Sequence, residues 1–135
     1  MRTKHEIALI NRHYREINPL DFGEEACAPG HTYGPAIRRY TLIHFVISGK
    51  GIFNNGDGIH HLHAGEAFVI HPGEVTVYSA DENDPWHYIW IVFTGLSVPS
   101  YLRACGLTRN NPVFYPQSYA HAVSSRVREP LRQIL

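Results

Sequence analysis

No run of apolar residues in this chain approaches the eighteen or so that a membrane-spanning helix requires, so no spanning helix is expected. Cysteine is scarce: Cys27 and Cys105 are too few for the disulfide framework of a small secreted fold. Residues 1–17 alternate charges with short apolar pairs and offer no signal-peptide core. A cytoplasmic protein with no membrane partner is the expectation. Net charge is lacking as well, with 12 Lys and Arg against 12 Asp and Glu, so the chain has no global electrostatic footprint for nucleic acid.

One further scarcity is local. Between Gly51 and Leu102 there is no Lys or Arg, while Asp57, Glu66, Glu74, Asp81, Glu82 and Asp84 lie in that stretch. From Ser97 onward the balance reverses, with Arg103, Arg109, Arg126, Arg128 and Arg132 against Glu129 alone. The central region therefore lacks the cations that an anionic ligand would want.

What is plentiful is turn chemistry. Short apolar runs alternate with Gly49-Lys50-Gly51, Asn55-Gly56-Asp57-Gly58, Ala64-Gly65-Glu66, His71-Pro72-Gly73-Glu74 and Asp81 to Trp86. The spacing predicts strands near 40–48, 51–54, 59–63, 67–70, 75–80 and 86–94, followed by a short strand at 113–115. This is the pattern of a mainly β jelly-roll barrel, and the 135 residues suit one core. Before the barrel (36–115), residues 1–35 read as an irregular arm with a short helix near Glu6 to Tyr14. After Gly95, Ser97 and Pro99 can start a short helix that Gly106 ends. In 116–135, Ala120, Val123, Val127, Leu131 and Ile134 recur at helical spacing, which predicts a helix that docks or dimerises through that stripe.

The segment from Tyr40 to Ser48 carries Leu42, His44, Val46 and Ser48 on one face and Ile43, Phe45 and Ile47 on the other, so each face should be covered. Tyr78, Tyr88 and Trp90 fall at alternating positions of two consecutive strands and can share a face. Flat rings offer apolar area to the C–H faces of a sugar, while tyrosine hydroxyls, His44, Ser48 and Thr76 can bond its hydroxyls without bringing charge. The ligand-binding set read from the sequence is thus His44, Ser48, Thr76, Tyr78, Tyr88 and Trp90. The same rings could instead simply fill the barrel.

Ten histidines raise the question of a metal, yet their spacing gives no ligand set of two His on one strand, a carboxylate and a third His on a later strand. His61 and His63 share one face of a short strand that reads as solvated, and His71 precedes Pro72 in a turn. No nucleophile, base and orienting group stand at an informative spacing. No cofactor, metal or catalytic residue is expected.

Gly34 to Arg38, Ile43 to Gly51, His71 to Thr76 and Ala80 to Trp90, taken in order, resemble the N-terminal effector domain of AraC-type transcription regulators over about residues 18–115. The resemblance implies a cupin-like double-stranded β-helix that binds a sugar, helices that pack on the barrel and form a homodimer, and a separate helix-turn-helix domain that meets DNA and is absent from this sequence. It also implies that Tyr78 and Trp90 are aromatic sugar contacts, that Tyr88 replaces a histidine contact, and that an N-terminal arm closes over the ligand. The alternative on the same barrel is a small metal-dependent enzyme acting on a sugar or another small molecule.

Overall fold

Two antiparallel sheets enclose one core in the computed structural model, which describes residues 3–115. The strands are β1 (Thr3–Ala8), β2 (Asn18–Ala26), β3 (Thr32–Ile37), β4 (Thr41–Ser48), β5 (Lys50–Asn54), β6 (Ile59–His63), β7 (Ala67–Ile70), β8 (Val75–Ala80), β9 (His87–Thr94) and β10 (Val113–Phe114). One sheet runs in the order β1-β2-β9-β4-β7-β10 and the other β3-β8-β5-β6. From β4 to β9 the chain changes sheet at every connection except the β5–β6 hairpin, which makes a jelly-roll barrel. Leu42, Val46, Phe68, Ile70 and Tyr88 of one sheet meet Phe53, Leu62, Tyr78 and Ala80 of the other in a single buried cluster.

The turns explain the acids of the cation-free stretch. A Glu66 carboxylate oxygen accepts the His63 backbone N–H at 2.8 Å, and Glu74 accepts that of His71 at 2.8 Å. Asp81 Oδ2 accepts from both Asn83 and Asp84 at 2.9 Å, bonds that hold its carboxyl below the ordinary range. Each side chain satisfies turn N–H groups that would otherwise lack a partner. At the β4–β5 crossing Gly49 has φ +73, and a Cβ there would lie 2.4 Å from the Pro85 carbonyl oxygen. Only glycine meets both demands.

The strands β4 to β9 coincide with the expected ones to within one residue at each end. The region before them differs. The helix expected near Glu6 to Tyr14 is absent: β1 reaches Ala8 and pairs with β2 from Thr3↔Ala26 to Ala8↔Asp21. Residues 18–37, expected as part of an irregular arm, supply β2 and β3, and β2 pairs along β9. Pro19, Gly23, Gly34 and Pro35 read as strand breakers, but the register shifts next to Pro19 and around Gly34-Pro35 absorb all except Gly23. Every residue of β1 is exposed, so no apolar alternation marks it, and backbone pairing alone makes it a strand.

The one helix among the described residues, α1 (Val98–Ala104), buries Val98 and Leu102 against Val69, Ile43 and Phe93 on the outer face of the six-stranded sheet. It is too short to cross a membrane. Ser97 stands at its N-cap without capping it, because its hydroxyl donates to the Glu16 carboxylate instead. Ile43 is thus covered, whereas Phe45 and Ile47 on the same face are 42% and 50% exposed. The helix expected from Pro116 onward lies outside the described residues.

Candidate functional site

His44 projects from β4 into the barrel, where only 2% of it is exposed. Its ring stacks on Phe68 at 4.7 Å and lies 5.0 Å from Tyr78, 4.9 Å from Tyr88 and 6.2 Å from Trp90. Backbone register fixes this grouping, since His44 pairs with Trp90 across β4 and β9 and Tyr88 lies two residues before Trp90 on the same face. Burial, and secondarily the Arg38 guanidinium, push the His44 pKa down to about 3. The ring is neutral at ordinary pH, and its Nδ1 is buried without a hydrogen-bond partner.

His44, Tyr78, Tyr88 and Trp90 line a cavity of about 100 Å³ that is completed by Lys4, Glu6, Asp21, Glu25 and Tyr33 from before the predicted barrel and by Arg38 near its start. Arg38 lies 4.3 Å above the Tyr33 ring and donates to the Tyr78 hydroxyl at 3.2 Å, while Tyr33 stacks on Tyr78 at 5.3 Å. The Tyr88 hydroxyl donates to Glu25 of β2 at 3.5 Å, and His31 sits 3.6 Å from the same carboxylate. Burial raises both tyrosine pKa values well above the ordinary one, so both hydroxyls keep their protons. From β1, Lys4 stands 5.7 Å from the Trp90 ring centre, and Glu6 lines the cavity beside Asp21. The approach of Trp90 to β2 depends on Gly23, where a Cβ would lie 2.4 Å from the indole.

Of the six residues chosen from the sequence, His44, Tyr78, Tyr88 and Trp90 converge on this cavity. Thr76 is buried on the same face of β8 as Tyr78, with its hydroxyl unpartnered, but does not line the cavity. Ser48 does not reach it either: a register shift between Val46 and Ser48 takes it off the inner face, and it is exposed. Sequence reasoning missed Lys4, Glu6, Asp21, Glu25 and Tyr33 because their segments were not read as strands, and missed Arg38, which lies just after β3. Read as a strand, Asp21, Gly23 and Glu25 alternate onto one face, and that was the available signal. The expectation of a cation-free pocket is corrected by Arg38 and Lys4, which reach it from beyond the central stretch.

The groups present can do three things: stack on a flat apolar face, donate and accept hydrogen bonds from neutral hydroxyls and an imidazole, and bond polar hydrogens or oxygens through a carboxylate and a guanidinium. Among the described residues, no three His, Cys, Asp or Glu side chains are grouped so as to hold a metal ion. His61 and His63 are exposed on β6, with His63 3.6 Å from Glu66.

Comparison with known proteins agrees with the fold. A cupin-like protein from Thermotoga maritima has the same fold, with a TM-score of 0.55, 16% identity and coverage of 76% of this chain and 84% of that one. The Msm operon regulatory protein of Streptococcus mutans is 37% identical over 97 residues, 68% of this chain and 35% of that protein. The raffinose operon transcriptional regulatory protein of Pediococcus pentosaceus is 40% identical over 90 residues, 64% of this chain and 31% of that protein. The chain thus spans about a third of the length of these regulators. The family model for the AraC-like ligand binding domain matches residues 18–135, and this chain belongs to that family.

Proposed function

We propose that this chain is the effector-sensing part of a transcription regulator, that its effector is a neutral saccharide held in the His44 cavity, and that it has no enzymatic activity of its own. The observation that carries this reading is the neutral His44, its Nδ1 unpartnered, among Tyr78, Tyr88 and Trp90. A pyranose can place its C–H face on Trp90 and its hydroxyls on His44, Glu25 and Arg38. Because the cavity sets cations (Arg38, Lys4) against acids (Glu6, Asp21, Glu25), it has no strong preference for a charged ligand. Relatives named for raffinose and lactose operons point to the same chemistry.

About 100 Å³ is below the roughly 300–1,000 Å³ of drug-sized sites, and suits one sugar ring at most. A longer saccharide is then read by one terminal ring, with β1 shifting to admit it. Saccharide contacts with Lys4 and Glu6 bias the position of β1, and that bias is the signal passed to the remainder of the regulator. Dimerisation through residues 116–135 and DNA binding by a helix-turn-helix domain beyond this sequence complete the reading.

The test is the melting temperature against a panel of neutral mono- and oligosaccharides in buffer with a metal chelator. A saccharide at about 100 times its dissociation constant stabilises by roughly 2.7 kcal/mol, a shift of several degrees. Trp90→Ala is expected to abolish that shift while leaving a cooperative melt. A panel with no effect, or a shift that survives Trp90→Ala, sinks the assignment of this cavity.

A further inference from the structure

A second cavity, of about 390 Å³, lies between α1, the loop that follows it, and the strand ends around Thr41, His71 and Thr94. The saccharide reading does not use it. Its volume falls within the roughly 300–1,000 Å³ of small-molecule sites. The floor is apolar: Val98, Leu102 and Leu107 belong to the small hydrophobic cluster under α1. Cations mark the rim, where Arg103 and Arg109 both line the cavity and, among the described residues, no Asp or Glu does.

Neither guanidinium is neutralised by a carboxylate among the described residues. Arg109 is held from one side, its Nη2 donating to the Pro72 carbonyl at 2.7 Å, and Arg103 donates to Ser100 of its own helix at 3.3 Å. With five N–H donors each, both keep donors for a ligand. His71 lines the same wall, and among the described residues its Nε2 is buried with no hydrogen-bond partner. Glu74, the nearest acid to His71, is engaged by the His71 backbone N–H.

We propose that this cavity binds a small organic anion with an apolar body, its carboxylate or phosphate-monoester head between Arg103 and Arg109 and its body on Val98, Leu102 and Leu107. Two unneutralised guanidiniums favour an oxyanion, which accepts bidentate bonds from each planar fork. The apolar floor separates such a ligand from a bare inorganic ion, which would leave that surface wet. The chain thereby divides its ligands by charge, with the inner cavity balanced and the outer one positive.

The test is an NMR titration of the isotopically labelled chain with benzoate, phenyl phosphate and inorganic phosphate. Benzoate or phenyl phosphate is expected to shift the amides of His71, Leu102, Leu107 and Arg109 saturably, and whichever probe binds tighter identifies the head group. Arg103→Gln and Arg109→Gln are each expected to weaken that binding about tenfold or more, the loss of one charge-assisted hydrogen bond. Among the described residues the Arg103 side chain bonds only Ser100 of α1, so its variant is expected to keep the fold, which the amides of the barrel strands report. Neither substitution is expected to alter a saccharide-induced shift in melting temperature, so the two cavities fail or stand independently. Three results overturn the proposal: no saturable shift with any probe at about 10 mM, binding that survives both substitutions, or inorganic phosphate binding as well as phenyl phosphate.

Discussion

His44 is buried neutral, because charging it would place an imidazolium among Phe68, Tyr78 and Tyr88 with the Arg38 cation nearby. The groups that face it, Arg38, the protonated hydroxyls of Tyr78 and Tyr88, and Glu25 beyond Tyr88, do not offset that cost. A base whose folded pKa is lowered from 6.5 to about 3 contributes stability that is complete above 6.5 and is lost as pH falls toward 3. Each pH unit in that window removes roughly 1.4 kcal/mol. Urea unfolding between pH 7 and 4 is expected to show a markedly shallower loss of stability in His44→Gln than in the parent protein. Equal slopes would mean that His44 charges in the folded state. At this scale the sequence was legible where strand parity held: His44, Tyr78, Tyr88 and Trp90 followed from counting by twos. It failed at Ser48, because a bulge is set by pairing across β4 and β9 and leaves no mark on alternation within one strand.

The element that separates expectation from structure is β1, together with its partner β2. Turn residues announced β4 to β9, since each connection carries its own glycine, asparagine or carboxylate, whereas β1 has no buried face to mark it. What ties β1 to the cavity is charge. Asp21 of β2 has its pKa raised to about 6, chiefly by burial and then by a hydrogen bond and repulsion from Glu6, with Lys4 opposing. Glu25 and Arg38 line the same cavity. An acid whose folded pKa is raised contributes stability that is complete below 3.8 and is lost as pH rises through about 6. The β1–β2 pairing is therefore expected to loosen between pH 5 and 7, opposite in sign to the His44 effect. Amide exchange of β1, corrected for its intrinsic pH dependence, is expected to be several-fold less protected at pH 7. The part of the shift expressed between pH 5 and 7 would give at most about tenfold, and solvent screening at a partly exposed carboxyl reduces it. In Asp21→Asn the difference should vanish; if it persists, protonation of Asp21 is not what fastens β1.

For the whole molecule, the unbalanced feature is the outer face of the six-stranded sheet. α1 covers its Ile43 end, but Phe22, Phe45, Ile47 and Ile89 remain 39–50% exposed, and Phe22, Phe45 and Ile89 border a shallow groove of about 710 Å³ with Ile7 and Ile91. The apolar character of both faces of β4 was legible in the sequence; what covers the second face was not, because it depends on where the chain goes after β10. Register answers part of that. Phe114 pairs with Ala67, Ala67 with Phe45, Phe45 with Ile89 and Ile89 with Glu24, so the chain leaves β10 on the row that crosses the bare patch. Twenty residues follow Tyr115, and a helix over 116–129, before Pro130 kinks or restarts it, would be about 21 Å long, against about 24 Å for the spacings across six strands. We expect the Ala120, Val123, Val127, Leu131 and Ile134 stripe to cover this patch, from the same chain or from a second copy. A half-exposed phenylalanine left bare costs little to replace, usually within about 0.5 kcal/mol. Covered, Phe45→Ser should lower stability by roughly 1.5–3 kcal/mol in urea unfolding of the full chain. If the loss depends on protein concentration and sedimentation shows a weakened dimer, a second copy supplies the stripe. If it does not, the chain covers its own sheet, and a loss inside 0.5 kcal/mol would leave the patch uncovered and remove the basis for docking there.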